Sequence, residues 1–219
     1  MLYILQFPNI QIIMKRLFTL ALCFSAAVAM FFGCDSKAKL AEDITGTWSA
    51  APVKLTNNEQ GYSSITETYI FERDSTAASG TVLISSMISL QKSAPANAAP
   101  TAPFMMSAAA RATIQGSWMA VDDDDIAVQL NPQSLNIEVD PTMVQLTMNP
   151  MTGQTSPSAD TISASMLDYV KATIAQDLNV HYAQFTKIDD IDFKQKGAVM
   201  EFEVGKTDYS LMRQSPAIK

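Results

Sequence analysis

Apolar residues recur at alternate positions through most of the chain beyond residue 43, the pattern of strands buried on one face only. Ile44, Gly46 and Trp48 fall on one side of such a run, and Tyr69 and Phe71 share a side of Thr66–Glu72. Thr81–Leu90 is strongly β-prone. Ile126, Val128 and Leu130 alternate, as do Leu135, Ile137 and Val139, and then Val144, Leu146 and Met148. Near the end Met200, Phe202 and Val204 alternate with Glu201 and Glu203, and Tyr209, Leu211 and Arg213 follow. Asn131-Pro132-Gln133-Ser134, Lys196-Gly197 and Gly205-Lys206 supply hairpin turns between runs. The pattern predicts an all-β fold with one helix: an antiparallel up-and-down β-barrel of about 8–10 strands, closed so that few edges stay unpaired.

The period changes once. Ile162, Met166, Val170, Ile174 and Leu178 recur every fourth residue, with Leu167 beside them, which predicts an amphipathic helix near 161–180 with Asp160 as its N-cap. Asn149–Ala159 reads as the loop leading into it. Gln91–Ala110, rich in Ala and Pro, reads as a surface loop. Within it Phe104, Met105 and Met106 form an apolar trio that either tucks onto the barrel or acts as a lid or partner contact.

Upstream lies a leader. Lys15 and Arg16 follow Met14, an apolar run extends from Leu17 to Phe32, and Gly33-Cys34 ends it. This is the order of an export signal. Residues 1–13 carry no charge, which places the natural start at Met14. Phe31-Phe32-Gly33-Cys34 resembles the lipobox of bacterial lipoproteins, with Phe31 where Leu is usual. The resemblance implies a diacylglyceryl-modified Cys34 as mature N-terminus and an address in the cell envelope, at the outer membrane or cell surface rather than the inner membrane. The chain then divides into a leader (1–34), a polar tether (35–42) and a barrel domain (43–215).

Without Lys15 and Arg16 the chain keeps 13 basic residues against 22 acidic ones, a formal charge of −9. An acidic surface offers no footprint for nucleic acid. Cys23 lies in the leader and Cys34 takes the lipid, so the mature domain has no disulfide and no thiol nucleophile.

Ile44-Thr45-Gly46-Thr47-Trp48-Ser49-Ala50 and Ile114-Gln115-Gly116-Ser117-Trp118-Met119-Ala120 share one frame and contain both tryptophans, as two inward-facing layers or a duplication. Gly46-Thr47-Trp48 resembles the Gly-x-Trp signature of lipocalins, and Thr207-Asp208-Tyr209 resembles their Thr-Asp-Tyr motif. The likeness is to small lipocalin-like lipoproteins of didermic bacteria. In that family the Trp closes one end of the barrel and an Arg from a late strand packs across it. The resemblance therefore implies closure by Gly46, Trp48 and Arg213. Here, unlike in the family, the helix precedes the last strands.

Little in the chain suggests catalysis. His181 is the only histidine, placed where the helix ends, and a contact with the helix C-terminus accounts for it. Asp122–Asp125 lacks the spacing of an EF-hand and reads as a solvated turn, and Asp190 and Asp192 share a solvent face. The ten methionines beyond Cys34 read as core filler or as the lining of an apolar pocket. No catalytic residue, metal site or cofactor is expected. The expected function is binding of a small hydrophobic or amphipathic molecule, with Tyr69, Phe71, Met87 and Trp118 as candidate pocket lining. The alternative is a non-enzymatic interaction lipoprotein, an accessory subunit that docks a protein partner.

Overall fold

A computed structural model describes residues 36–58, 61–93, 104–148 and 164–214. Residues 36–44 form helix α1, and eleven strands and a second helix follow: β1 (Gly46–Ala50), β2 (Val53–Asn58), β3 (Gly61–Arg73), β4 (Ser79–Ser93), β5 (Phe104–Ala120), β6 (Ile126–Leu130), β7 (Asn136–Val139), β8 (Gln145–Met148), α2 (Ala164–Tyr182), β9 (Lys187–Lys194), β10 (Val199–Val204) and β11 (Thr207–Arg213). Every pairing is antiparallel. Eight strands close the barrel in the order β1-β11-β10-β9-β6-β5-β4-β3, and β3 returns to β1. The fold is thus all-β, with the expected amphipathic helix.

Strands β3, β4 and β5 are far longer than the others, and their extra length decides the architecture. β1 pairs with Thr68–Phe71 of β3, whereas β2 pairs with the half of β3 before Thr66. On the other side β6 pairs with Gly116–Ala120 of β5, and β7 and β8 pair with its earlier residues. The barrel therefore opens at one end into a trough, β2-β3-β4-β5 with β7 and β8. Helix α2 lies in this trough, reaching β2 on one edge and β7 on the other. Its stripe Met166, Val170, Ile174, Leu178 and Tyr182 is buried. Ile162 and Asp160, read as its start, fall outside the described residues.

Three expectations change. The stretch read as a polar tether is helical in residues 36–44, with Leu40, Ala41 and Ile44 buried in the core. Amphipathic spacing over barely two turns is too short to stand out among Lys and Asp. In the stretch read as a loop (91–110) the described residues are strand: β4 runs to Ser93 and β5 begins at Phe104, with 94–103 outside the described residues. The inward residues there are Ala108, Ala110 and Ala112, small enough for a sheet that a helix crosses, and an outward Ala109 beside them removes the contrast that marks a strand. Finally, Asn131–Ser134 is no hairpin.

That last segment belongs to a repeat. Residues 131–139 (NPQSLNIEV) and 140–148 (DPTMVQLTM) share a nine-residue frame. In each copy a cap (Asn131 or Asp140) accepts from the backbone N–H two residues on, and a proline opens one turn of 3-10 helix. The chain then resumes pairing with the same neighbour. From Leu130 to Val139 to Met148 it advances nine residues each time, while β5 retreats only six, from Gly116 to Ala110 to Phe104. Each Pro turn is a three-residue jog in one long broken strand.

Candidate functional site

The closed end of the barrel is built around Trp48. Its indole N–H donates to the Ile44 carbonyl at 2.7 Å, and its ring faces the Arg213 guanidinium at 4.1 Å. Arg213 pairs with Trp48 in the β1–β11 ladder and donates to the carbonyls of Asp43, Thr45 and Gly197. A cation at the last carbonyls of α1 is favourably placed. Gly46 sits at φ +133°, and a Cβ there would lie 3.0 Å from the Arg213 Nη1. Trp118 instead donates across the sheet to Glu72 and Thr81 carbonyls. The first copy of the Ile-x-Gly-x-Trp frame begins in a helix and the second lies within β5, so their backbones are not equivalent.

Of the four residues proposed to line a pocket, Tyr69, Phe71 and Trp118 come together inside the barrel. Met87 does not. Inward positions of β4 are even-numbered, and Met87 is 63% exposed on the outer wall. It borders an open groove of about 600 Å³ with Ala109, Arg111, Glu138 and Met143. The trio proposed as a lid is part of β5: Met106 is fully buried, Met105 is half-buried, and Phe104 pairs with Met148. Met200 and Met166 also fill the core, whereas Met119, Met143 and Met212 are exposed.

The interior is occupied by rings. Tyr69 stacks on Phe71 with centroids 6.3 Å apart and meets Phe202 edge-on at 6.4 Å, and Phe202 stacks on Tyr209 at 5.1 Å. Phe185, in the turn after α2, enters among them, 6.2 Å from Tyr69 and 5.7 Å from Tyr209. A crevice of about 240 Å³ beside Tyr182, Phe185, Ile114 and Val128 marks where α2 meets the barrel wall.

At this junction lies a polar cluster absent from the sequence reading. Glu67 occupies the point where β3 passes from barrel to trough, on the same face as Tyr69 and Phe71, and it is 1% exposed. Its Oε2 accepts from the Tyr69 hydroxyl at 2.8 Å and lies 3.2 Å from His181 Nε2. Its Oε1 is buried with no hydrogen-bond partner. Close by, the Tyr182 and Ser86 hydroxyls share a bond of 2.7 Å. Further along the helix, Asp177 accepts from Ser63 at 2.8 Å and from Lys92 at 2.9 Å. His181 does stand in the last turn of α2, but its side chain serves Glu67, 114 residues away.

The tyrosines register this environment. Burial, and then the Glu67 charge, push the Tyr69 hydroxyl well above its ordinary range. The same two causes raise Tyr182, partly offset by the Ser86 bond, and bring Tyr209 to about 12. The cluster is a desolvated, acceptor-rich patch able to receive a hydrogen-bond donor.

The acidic runs behave as turns. Asp122 Oδ1 accepts from the Asp124 and Asp125 backbone, and Asp125 pairs with Lys187 and the Asp190 N–H. The carboxylates of Asp122, Asp124 and Asp125 approach within 4.8 Å of one another, with their hydrogen bonds holding the turn. Asp190 and Asp192 are exposed.

Glu67, and the pairing of His181 with it, escape the sequence for a shared reason. An alternating strand with one acid on its inner face looks like a register error, and nothing local ties it to a histidine beyond a helix. Parity with Tyr69 and Phe71 was the available signal. No protein-family model matches this sequence, and a search of curated proteins finds no match.

Proposed function

We propose that this chain is a non-enzymatic lipoprotein of the cell envelope, anchored through a diacylglyceryl group on Cys34, whose lipocalin-like barrel takes up a small amphipathic molecule beneath α2. Cys34 lies outside the described residues, and the anchor rests on the lipobox resemblance. One observation carries the binding reading: Glu67 Oε1, buried against aromatic rings with no partner. Leaving such an acceptor unpaired costs about 1–3 kcal/mol, and an apolar residue there would avoid the penalty. A bound molecule with a hydroxyl or amine head and an apolar body would supply the missing donor. Such a molecule would replace Phe185 among the rings while its head met Glu67. An outer-membrane or surface location suits that role.

A second reading has its own support. Trp48, Tyr69, Phe71, Trp118, Phe185 and Phe202 fill the barrel with their own side chains, as befits an interaction lipoprotein with a solid core.

Native mass spectrometry of the full-length protein, purified in detergent from its own envelope extract, tests both. Binding predicts a retained small molecule, a Trp fluorescence shift on its removal, and loss of retention in Glu67→Gln with folding kept. A clean apo mass, with no response to a panel of lipids and hydrophobic amines, rejects binding and leaves the solid-core reading.

A further inference from the structure

Helix α1 leaves almost no slack between the proposed anchor and the barrel. Leu40, Ala41 and Ile44 are buried in the core, and Ser36 at the start of α1 borders a crevice with Asp123, Ile191 and Phe193. Only Asp35 separates Cys34 from this packed helix. Two residues of extended chain span at most about 7 Å. A polar tether would let the domain tumble above the membrane; a helix seated in the core does not.

From this we infer that the protein stands on the bilayer with one end down: the closed end of the barrel, capped by α1, Trp48 and Arg213, faces the lipid headgroups. The trough holding α2, and with it the Glu67–His181 cluster, faces away. The partner is the membrane in which the chain's own acyl groups sit. The inference rests on lipidation of Cys34 and does not depend on whether the barrel binds a ligand. The fold supports it from the opposite end as well. Strands β4 and β5 run from the closed end to the trough, and Ser89 lies nine residues along β4 from Gly80, about 30 Å of strand. Entry of any molecule beneath α2 would then come from the aqueous side, not from the bilayer.

The mature chain has no cysteine other than Cys34, so one added cysteine gives a unique label. Ala198→Cys marks the closed end, next to Arg213, and Ser89→Cys marks the outer wall of the trough; both positions are exposed. The acylated full-length variants, labelled with a fluorophore, are reconstituted in phosphatidylcholine vesicles bearing a nitroxide on the headgroup. The expected result is quenching severalfold stronger at position 198 than at 89. A ten-residue Gly/Ser insertion between Asp35 and Ser36 should abolish the difference while the protein still floats with the vesicles. Equal quenching without the insertion, or stronger quenching at 89, overturns the fixed orientation. Failure to float, with a mass lacking the lipid, overturns the anchor itself and the orientation with it, and so separates the two failures.

Discussion

Arg213 lies 4.1 Å over the Trp48 ring while its N–H groups satisfy carbonyls at the end of α1. One side chain thus joins the last strand, the first strand and the helix that caps the barrel. The cation–π contact is worth about 1 kcal/mol at an exposed site. Arg213→Lys keeps the charge and loses the planar fork that reaches several carbonyls. Arg213→Ala is expected to cost about 1–2 kcal/mol in urea unfolding and Arg213→Lys more than half of that. Gly46→Ala should cost as much as Arg213→Ala, because it strains a positive φ and displaces the Arg213 Nη1. A double variant less destabilised than the sum of the two would confirm that both act on one contact.

Met106 separates two views of the segment after residue 91. A lid residue changed to serine leaves stability alone; a core residue does not. Met106 is fully buried, pairs with Leu146 across β8, and faces inward beside Ala108. Met106→Ala is expected to cost about 2–5 kcal/mol, the range for emptying a buried site of this size. Met105→Ala, on the opposite face, should cost less than about 1 kcal/mol. Chemical denaturation of both variants gives the comparison, and equal small effects would return the segment to the surface.

These residues also show what made the fold legible. Runs such as Met200-Phe202-Val204 and Tyr69-Phe71 contrast large apolar residues with polar neighbours, and alternation reports such contrast directly. The helix was legible for the same reason, since Met166, Val170, Ile174 and Leu178 lie four apart. Around Ala108–Ala110 both faces are small, so the contrast vanishes although the strand is the longest of those described. The Asn-Pro and Asp-Pro turns at 131 and 140 were legible as turns but not as jogs. The nine-residue period that distinguishes the two was present, with a further Asn-Pro at 149–150 outside the described residues. Glu67 is the harder case. Its partner His181 comes close only because α2 fills the opening left where β1 and β6 part from the trough.

Asp177 fastens α2 to the trough through Ser63 and Lys92, at a depth where the Lys92 and Asp177 side chains are 15% and 14% exposed. Asp177→Ala leaves a half-buried ammonium and a buried hydroxyl without their acceptor. A loss of about 1–3 kcal/mol is expected, concentrated in the helix. Amide exchange should quicken across Val170–Tyr182 while β9–β11 keep their protection. Uniform acceleration through the barrel would show instead that α2 and the barrel unfold as one unit.

The tyrosine cluster sets an alkaline limit on stability. Tyr69, Tyr182 and Tyr209 have hydroxyls raised above the ordinary value of 10.0, the last to about 12, first by burial and then by the Glu67 charge. In the unfolded chain these groups ionise near 10, so above that pH the unfolded state binds fewer protons than the folded one. Stability contributed by the raised values is therefore complete below about pH 10 and is lost as pH climbs through 12. Tyrosinate absorbance should rise in two stages, with the buried hydroxyls ionising only as near-ultraviolet circular dichroism collapses. Tyr209→Phe removes one linked proton and should shallow the fall of stability between pH 10 and 12. An unchanged slope in that variant, or full tyrosine ionisation in a folded protein, would mean that water reaches the cluster beneath α2.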